Sequence, residues 1–212
     1  TPAAFAAHVA SRYSLSTIAN HYLTQARPDL MLGGGHPPEM TGQMMKDAGY
    51  AVAANRDQML ALDAVTTVTR LGGLFGNTYM NYERDGVGDQ PHLTEMTNVA
   101  LNQLPRNPKG FFVMIEGGRI DHAGHANDLN RNIGETIEFG NATRAVLDWT
   151  ASHPDVLVIV TADHETGGLT VIQSNGAGNL PTVTWSTLNH TAARVPIYAR
   201  GPFSTLLSGA ID

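Results

Sequence analysis

The chain has 212 residues, enough for one domain with its own hydrophobic core, and its 42% hydrophobic and 15% charged residues are typical of a globular protein. A net charge of −6 without a run of basic residues argues against a nucleic-acid-binding surface, and no stretch reaches the roughly 20 apolar residues of a membrane span. The lack of cysteine excludes disulfide bonds, thiolate metal ligands and cysteine catalysis.

Helical and strand-like patterns alternate along the chain. Apolar residues at helical spacing predict helices, and short apolar runs that end in turn residues predict buried strands. In chain order the pattern predicts a helix over residues 14–26, a strand over 29–32, a loop over 77–91, a helix over 94–104, a strand over 111–115, a helix over 127–149, a strand over 156–161, a turn or surface excursion over 173–181 and a strand over 195–199. Because uninterrupted apolar strands favour a parallel sheet, we predict a single α/β domain, residues 1–212, with a mostly parallel central sheet flanked by helices on both faces.

Acidic residues and a histidine follow two of the predicted strands. Glu116 comes directly after strand 111–115, and Asp163 and His164 come soon after strand 156–161. In open α/β sheets, binding sites form beyond the carboxyl ends of the strands. One such residue alone is more often a helix cap or a surface group than a ligand. Because several of them collect at strand ends, the pattern favours a metal site.

A further pair of candidate ligands lies between these strands. Asp121 and His125 are four residues apart, which puts both side chains on one face of a helical turn, where they can bind one ion. Oxygen and nitrogen donors without sulfur are typical of a catalytic zinc site, which has about three protein ligands and one open position. His190, a few residues before the last predicted strand, is the best candidate for the third ligand.

Several ordered blocks of the chain closely resemble the alkaline phosphatase family. The resemblance covers nearly the whole chain, and several blocks in the family's order are far more specific than one short motif. It implies the family's fold and a metal-dependent hydrolysis of phosphate monoesters, with inorganic phosphate as product. The blocks are residues 1–4 and 8–12, residues 114–125 (MIEGGRIDHAGH), residues 160–168 (VTADHETGG), and His190-Thr191 followed by residues 195–199.

The resemblance also implies the cofactors and their ligands. The family binds two zinc ions and one magnesium ion. The implied ligands are Asp121, His125 and His190 for the first zinc, Asp163 and His164 for the second zinc, and Glu116 with Thr1 for the magnesium.

Two further residues have implied catalytic roles. Arg12 would bind the substrate phosphate, since a guanidinium donates two parallel hydrogen bonds to phosphate oxygens. The resemblance places His122 near the phosphate, at a position that varies within the family. Glu165 adjoins two ligands, but adjacent side chains point apart, so we expect it at the surface or behind the ligands.

The family's nucleophile is a serine in an Asp-Ser-Ala-like segment, and the 212 residues contain no such segment. We therefore expect a fragment that lacks the N-terminal nucleophile segment and the C-terminal end, and that is inactive alone. The intact enzyme would form a phosphoserine intermediate, would be periplasmic or extracellular, and would be a homodimer. Two alternatives stay open: a sister enzyme of the superfamily, such as a phosphodiesterase or sulfatase, or a catalytically dead metal-binding homologue.

Overall fold

The computed structural model describes residues 2–209, and these divide into two compact units. The first unit contains the residues up to Asn81 together with Asp85–Glu116. The second contains Tyr82–Arg84 and the residues from Gly117 onward. That residues 1–212 form one domain stays a prediction. No helix in the described part of the chain is both long and apolar enough to cross a membrane.

The first unit contains a parallel three-stranded sheet, with helices before, between and after its strands along the chain. Its strands are β1 (Leu30–Gly33), β2 (Ala51–Ala53) and β3 (Leu71–Leu74), and its helices are α1 (Pro2–Ala6), α2 (Leu15–His21), α3 (Gly42–Asp47), α4 (Arg56–Asp63) and α5 (Leu93–Gln103). A π-helical turn, Tyr22–Ala26, extends α2. The strand order is β1–β3–β2, with Leu71 opposite both Leu30 and Ala51.

Local hydrogen bonds explain where two of these helices begin. The Asn55 side chain accepts a hydrogen bond from the backbone N–H of Gln58 at 2.9 Å and so caps α4. At the start of α5, the Glu95 carboxylate accepts from the backbone N–H of His92 at 3.0 Å, which is one half of a capping box. Such caps satisfy backbone donors that the first helical turn leaves without partners.

The hydrophobic core of the first unit lies around β3. Gly72 and Gly73 in this central strand leave room for other side chains, because a Cβ atom there would overlap Met45 and Phe75. One cluster of buried side chains comprises Ala53, Met59, Leu71, Phe75 and Val99, and a second comprises Leu23, Met45 and Tyr50.

The second unit contains two helices and three antiparallel strand pairs. The helices are α6 (Arg119–His125) and α7 (Leu129–Trp149), and the strands are β4 (Val158–Val160), β5 (Glu165–Thr166), β6 (Thr170–Gln173), β7 (Thr182–Thr184), β8 (His190–Thr191) and β9 (Tyr198–Arg200). Strand β4 pairs with β9, β5 with β8, and β6 with β7. Among its described residues, the fully buried apolar side chains are those of Ala123 and Ala142.

The α/β class and the parallel sheet are confirmed. The three predicted helices correspond to α2 with its π-helical turn, to α5 and to α7, while the strand over residues 29–32 corresponds to β1 within one residue. The strand predicted over 111–115 was wrong: these residues form neither helix nor strand, and Phe112 is 72% exposed, so the apolar run is not a buried strand. The other two predicted strands are present as β4 and β9, but they pair antiparallel and alternate between more and less exposed residues, which is typical of a sheet with one open face.

Candidate metal centre

Helix α6 positions the first two candidate ligands. Asp121 and His125 lie one helical turn apart, and Oδ1 of Asp121 is 3.3 Å from Nε2 of His125. The helix stops just after His125, because Asn127 adopts a left-handed conformation with φ of 51° and Asp128 caps α7 through a 3.1 Å hydrogen bond from the N–H of Arg131. The i, i+4 pair predicted from the sequence is therefore formed.

The short ladder between β5 and β8 brings His190 to this pair. Thr166 is paired with His190, and Glu165 with Thr191. In this register Nε2 of His190 lies 3.4 Å from Oδ1 of Asp121 and 3.1 Å from Nε2 of His125. The three predicted ligands of the first zinc thus point their donor atoms at one another.

The separations of these three donor atoms fit zinc. A tetrahedral zinc ion with bonds of about 2.0–2.1 Å has neighbouring ligand atoms about 3.3–3.4 Å apart. The Asp121–His125–His190 triangle has edges of 3.1, 3.3 and 3.4 Å, close to one face of that tetrahedron. Nδ1 of His125 lies 2.6 Å from the carbonyl oxygen of Leu188. Since a carbonyl only accepts, Nδ1 carries a proton, and in the neutral ring Nε2 then presents its lone pair to the centre of the triangle.

Asp163 and His164 lie beside the triangle, in the segment between β4 and β5. Nε2 of His164 is 3.4 Å from Oδ2 of Asp163. The His164 ring stacks on the ring of His190, with centroids 3.5 Å apart and planes 19° from parallel. Ligand atoms of Asp121, His164 and His190 all lie within 4.8 Å of one another. The structure therefore gathers all five predicted zinc ligands into one site.

Four further site residues were predicted from the sequence: Thr1, Arg12, Glu116 and His122. Arg12 and Glu116 belong to the first unit, and both side chains are exposed. Burial, together with the negative charge of Glu116, raises the pKa of Tyr22. Thr1 lies outside the described residues. His122 is half-buried on α6, between the candidate ligands Asp121 and His125. The roles of these four residues in binding magnesium or phosphate stay predictions.

Glu165 stabilises the segment that carries the ligands. Its carboxylate accepts hydrogen bonds from the N–H of Gly168 at 2.9 Å and from the hydroxyl of Thr191 at 2.5 Å. It is half-buried, and one of the groups that donate to it belongs to the residue next to His190. By tying the turn after β5 to the residue next to His190, it holds β5 and β8 in register.

Thr166 contacts two candidate ligands and was not predicted from the sequence. Its hydroxyl donates a 2.6 Å hydrogen bond to Oδ1 of Asp121 and lies 3.2 Å from Nδ1 of His164. Strand alternation could have found it, because residues 164 and 166 are two apart and point to the same side of an extended chain.

Comparison with known proteins identifies the family. Residues 38–182, more than half of the chain, match the family model of alkaline phosphatase. The chain belongs to the alkaline phosphatase family. Four of the five candidate zinc ligands, and Glu116, lie within the matched residues, whereas Arg12 and His190 lie outside them.

Known alkaline phosphatases resemble the chain over most of its length. Alkaline phosphatase 3 of Bacillus subtilis (strain 168) is 34% identical over 181 residues, which cover 81% of this chain. The solved cold-active enzyme from the psychrophile Shewanella sp. has a TM-score of 0.87 at 26% identity and covers 100% of this chain and 69% of its own. A mutant of the enzyme from the Antarctic bacterium TAB5, solved with Mg bound in its M3 site, has a TM-score of 0.83 at 28% identity, over 96% of this chain and 62% of its own. The chain spans only 38% of the length of the Bacillus protein.

Proposed function

We propose that this chain forms the metal-binding part of a phosphate monoester hydrolase. The observation that carries the proposal is the triangle of donor atoms on Asp121, His125 and His190, whose 3.1–3.4 Å edges match a zinc coordination tetrahedron. Membership of the alkaline phosphatase family supports phosphate monoesters as substrates and inorganic phosphate as product.

We assign the residues of the site to two zinc ions. Asp121, His125 and His190 would hold the first, and Asp163 with His164 would contribute to the second. Bound zinc ions would supply positive charge that stabilises the attacking and leaving oxygens of phosphoryl transfer. A magnesium ion held by Glu116 and Thr1 completes the proposal, and magnesium in the M3 site of the TAB5 mutant supports a metal of this kind.

The chain's own residues orient the site and bind the phosphate. The Leu188 carbonyl holds the His125 ring through Nδ1, so that Nε2 would be free to bind the first ion. Arg12 would hold the non-bridging phosphate oxygens through two parallel hydrogen bonds. His122 would lie close to the phosphate. The proposed phosphoserine intermediate would form on a serine that is not among these 212 residues.

We also propose that the intact enzyme is periplasmic or extracellular and homodimeric, in keeping with the family. Cell fractionation would test the location, and light scattering of the purified protein would test the homodimer. The 212-residue chain alone would be inactive, which its 38% span of the Bacillus relative supports. Phosphatase turnover by the purified 212-residue chain would contradict this last statement.

The function is tested by elemental mass spectrometry of the full chain as its gene encodes it, paired with a p-nitrophenyl phosphate assay before and after chelation. We expect zinc and magnesium in the protein, activity that chelation removes, and recovery when zinc is returned. Phosphodiester and sulfate ester substrates assayed in parallel separate the sister activities. Zinc without turnover of any ester would indicate a catalytically dead homologue, and no zinc would refute the proposal.

A further inference from the structure

The Thr166 hydroxyl lies between ligands that are assigned to different zinc ions. It is 2.6 Å from Oδ1 of Asp121, a ligand of the proposed first zinc. It is 3.2 Å from Nδ1 of His164, a ligand of the proposed second zinc. A single oxygen atom therefore joins the two halves of the metal centre.

The proton balance of this arrangement has one solution when Asp121 is ionised and His164 is neutral. A carboxylate can only accept, so the one hydroxyl hydrogen of Thr166 goes to Asp121. The hydroxyl then has only lone pairs left for His164, and Nδ1 of the imidazole must donate to it. With its proton on Nδ1, the neutral His164 ring carries a lone pair on Nε2, the atom that would bind zinc.

The backbone around Thr166 holds the hydroxyl in this position. Thr166 is paired with His190 in the β5–β8 ladder, which the hydrogen bonds of Glu165 tie together. On the other side, α6 packs closely against it: a Cβ atom added to Gly124 would lie 3.0 Å from the Thr166 carbonyl oxygen. Because both sides are fixed, Thr166 can determine where its hydrogen-bond partners point.

We propose that Thr166 is a positioning residue that sets the orientation of Asp121 and the Nδ1–H tautomer of His164, and so couples the affinities of the two zinc sites. The inference rests on the proposed function, since it assigns these two ligands to zinc. It deepens that function by naming a residue that is not itself a proposed ligand but is hydrogen-bonded to two of them. Hydrogen-bond partners of metal ligands typically alter metal affinity about 10–100-fold when removed.

The test compares three variants of the full chain. Thr166→Val keeps the shape of the side chain but removes the hydroxyl, and Thr166→Ser keeps the hydroxyl. Thr170→Val makes the same threonine-to-valine change on an exposed position of β6 and serves as the matched control. Zinc dissociation into a chromogenic chelator is followed for each variant, and long-range ¹H–¹⁵N NMR identifies the tautomer of His164.

We expect Thr166→Val to weaken zinc binding by about 10–100-fold at both sites, while Thr166→Ser and Thr170→Val stay close to wild type. We also expect the wild-type spectrum to show the proton of His164 on Nδ1, a measurement that does not depend on how well any variant folds. A proton on Nε2, or unchanged zinc release from Thr166→Val beside a zinc-binding wild type, would overturn the role of Thr166 alone. A wild type that binds no zinc would instead overturn the proposed function.

Discussion

A methyl group added at Gly124 tests whether the metal centre depends on the close packing of α6 against β5. Gly124 is buried on α6 between Asp121 and His125, and an added Cβ would lie 3.0 Å from the Thr166 carbonyl oxygen and 3.1 Å from Thr166 Cβ. Contacts this short force the helix and the strand apart by a few tenths of an ångström. That shift acts directly on the 2.6 Å hydrogen bond from Thr166 to Asp121.

The expected change in the free energy of unfolding combines two opposing contributions. Overpacking of this kind costs about 1–3 kcal/mol, while replacing glycine by alanine within a helix gains about 1 kcal/mol. We therefore expect Gly124→Ala to lower the free energy of unfolding by about 0–2 kcal/mol. Zinc affinity should fall by about 10–100-fold, since a hydrogen-bond partner of a ligand is displaced.

Gly140→Ala is the matched control for this change. Gly140 lies on α7, is exposed, and an added Cβ there meets nothing within 4 Å. The control should keep wild-type zinc affinity and gain up to about 1 kcal/mol of stability from helix propensity. Denaturant unfolding and chelator competition on both variants of the full chain measure the two quantities. A Gly124→Ala variant as stable and as tight for zinc as the control would refute the packing argument.

Three further predictions address the ligands, the phosphate site and the first unit. Asp121→Ala and His190→Ala should each empty the first zinc site and abolish turnover, and a variant with full zinc content and full turnover would contradict the assignment. Arg12→Ala should weaken phosphate binding by roughly 2–4 kcal/mol, measured as the inhibition constant of inorganic phosphate, and an unchanged constant would remove Arg12 from the phosphate site. The hydrogen bond from Arg56 holds the pKa of Glu95 below its usual range. The pair therefore stabilises the folded state above the unfolded pKa of about 4.3, and this contribution is lost as pH falls through the lower folded pKa. Glu95→Gln should lower Tm at pH 7 more than at pH 3, and equal losses at both would contradict the pairing.

Local spacing predicted the helical half of the metal centre. Asp121 and His125 required only the assumption of one helical turn, and α6 supplies it. The long apolar pattern that predicts a helix over 127–149 likewise gave α7, shortened at its start because Asn127 is left-handed and Asp128 is the cap. Signals that lie within a few residues of one another were therefore sufficient for these elements.

Pairing between distant segments could not be predicted in the same way. The apolar run over 111–115 and the runs that became β4 and β9 look alike in sequence, yet only the latter two form strands, and they pair antiparallel. Strand β3 was missed because its LGGL sequence has low strand propensity. Its glycines are explained by Met45 and Phe75, which pack where a side chain on the strand would stand, and no local pattern contains that information.

The stability of the β5–β8 ladder and the binding of metal should depend on each other. A two-residue ladder such as β5–β8 is too short to be stable by itself, and the fully buried apolar side chains among the described residues of this unit are small, those of Ala123 and Ala142. Hydrogen bonds from Gly168 and Thr191 to Glu165 supply part of the missing stability. Nε2 of His125 and Nε2 of His190 lie 3.1 Å apart, and lone pairs on both nitrogens would repel unless a cation or a proton lay between them. A zinc ion there would turn that repulsion into attraction, so its binding free energy would add to the stability of the ladder that holds His190.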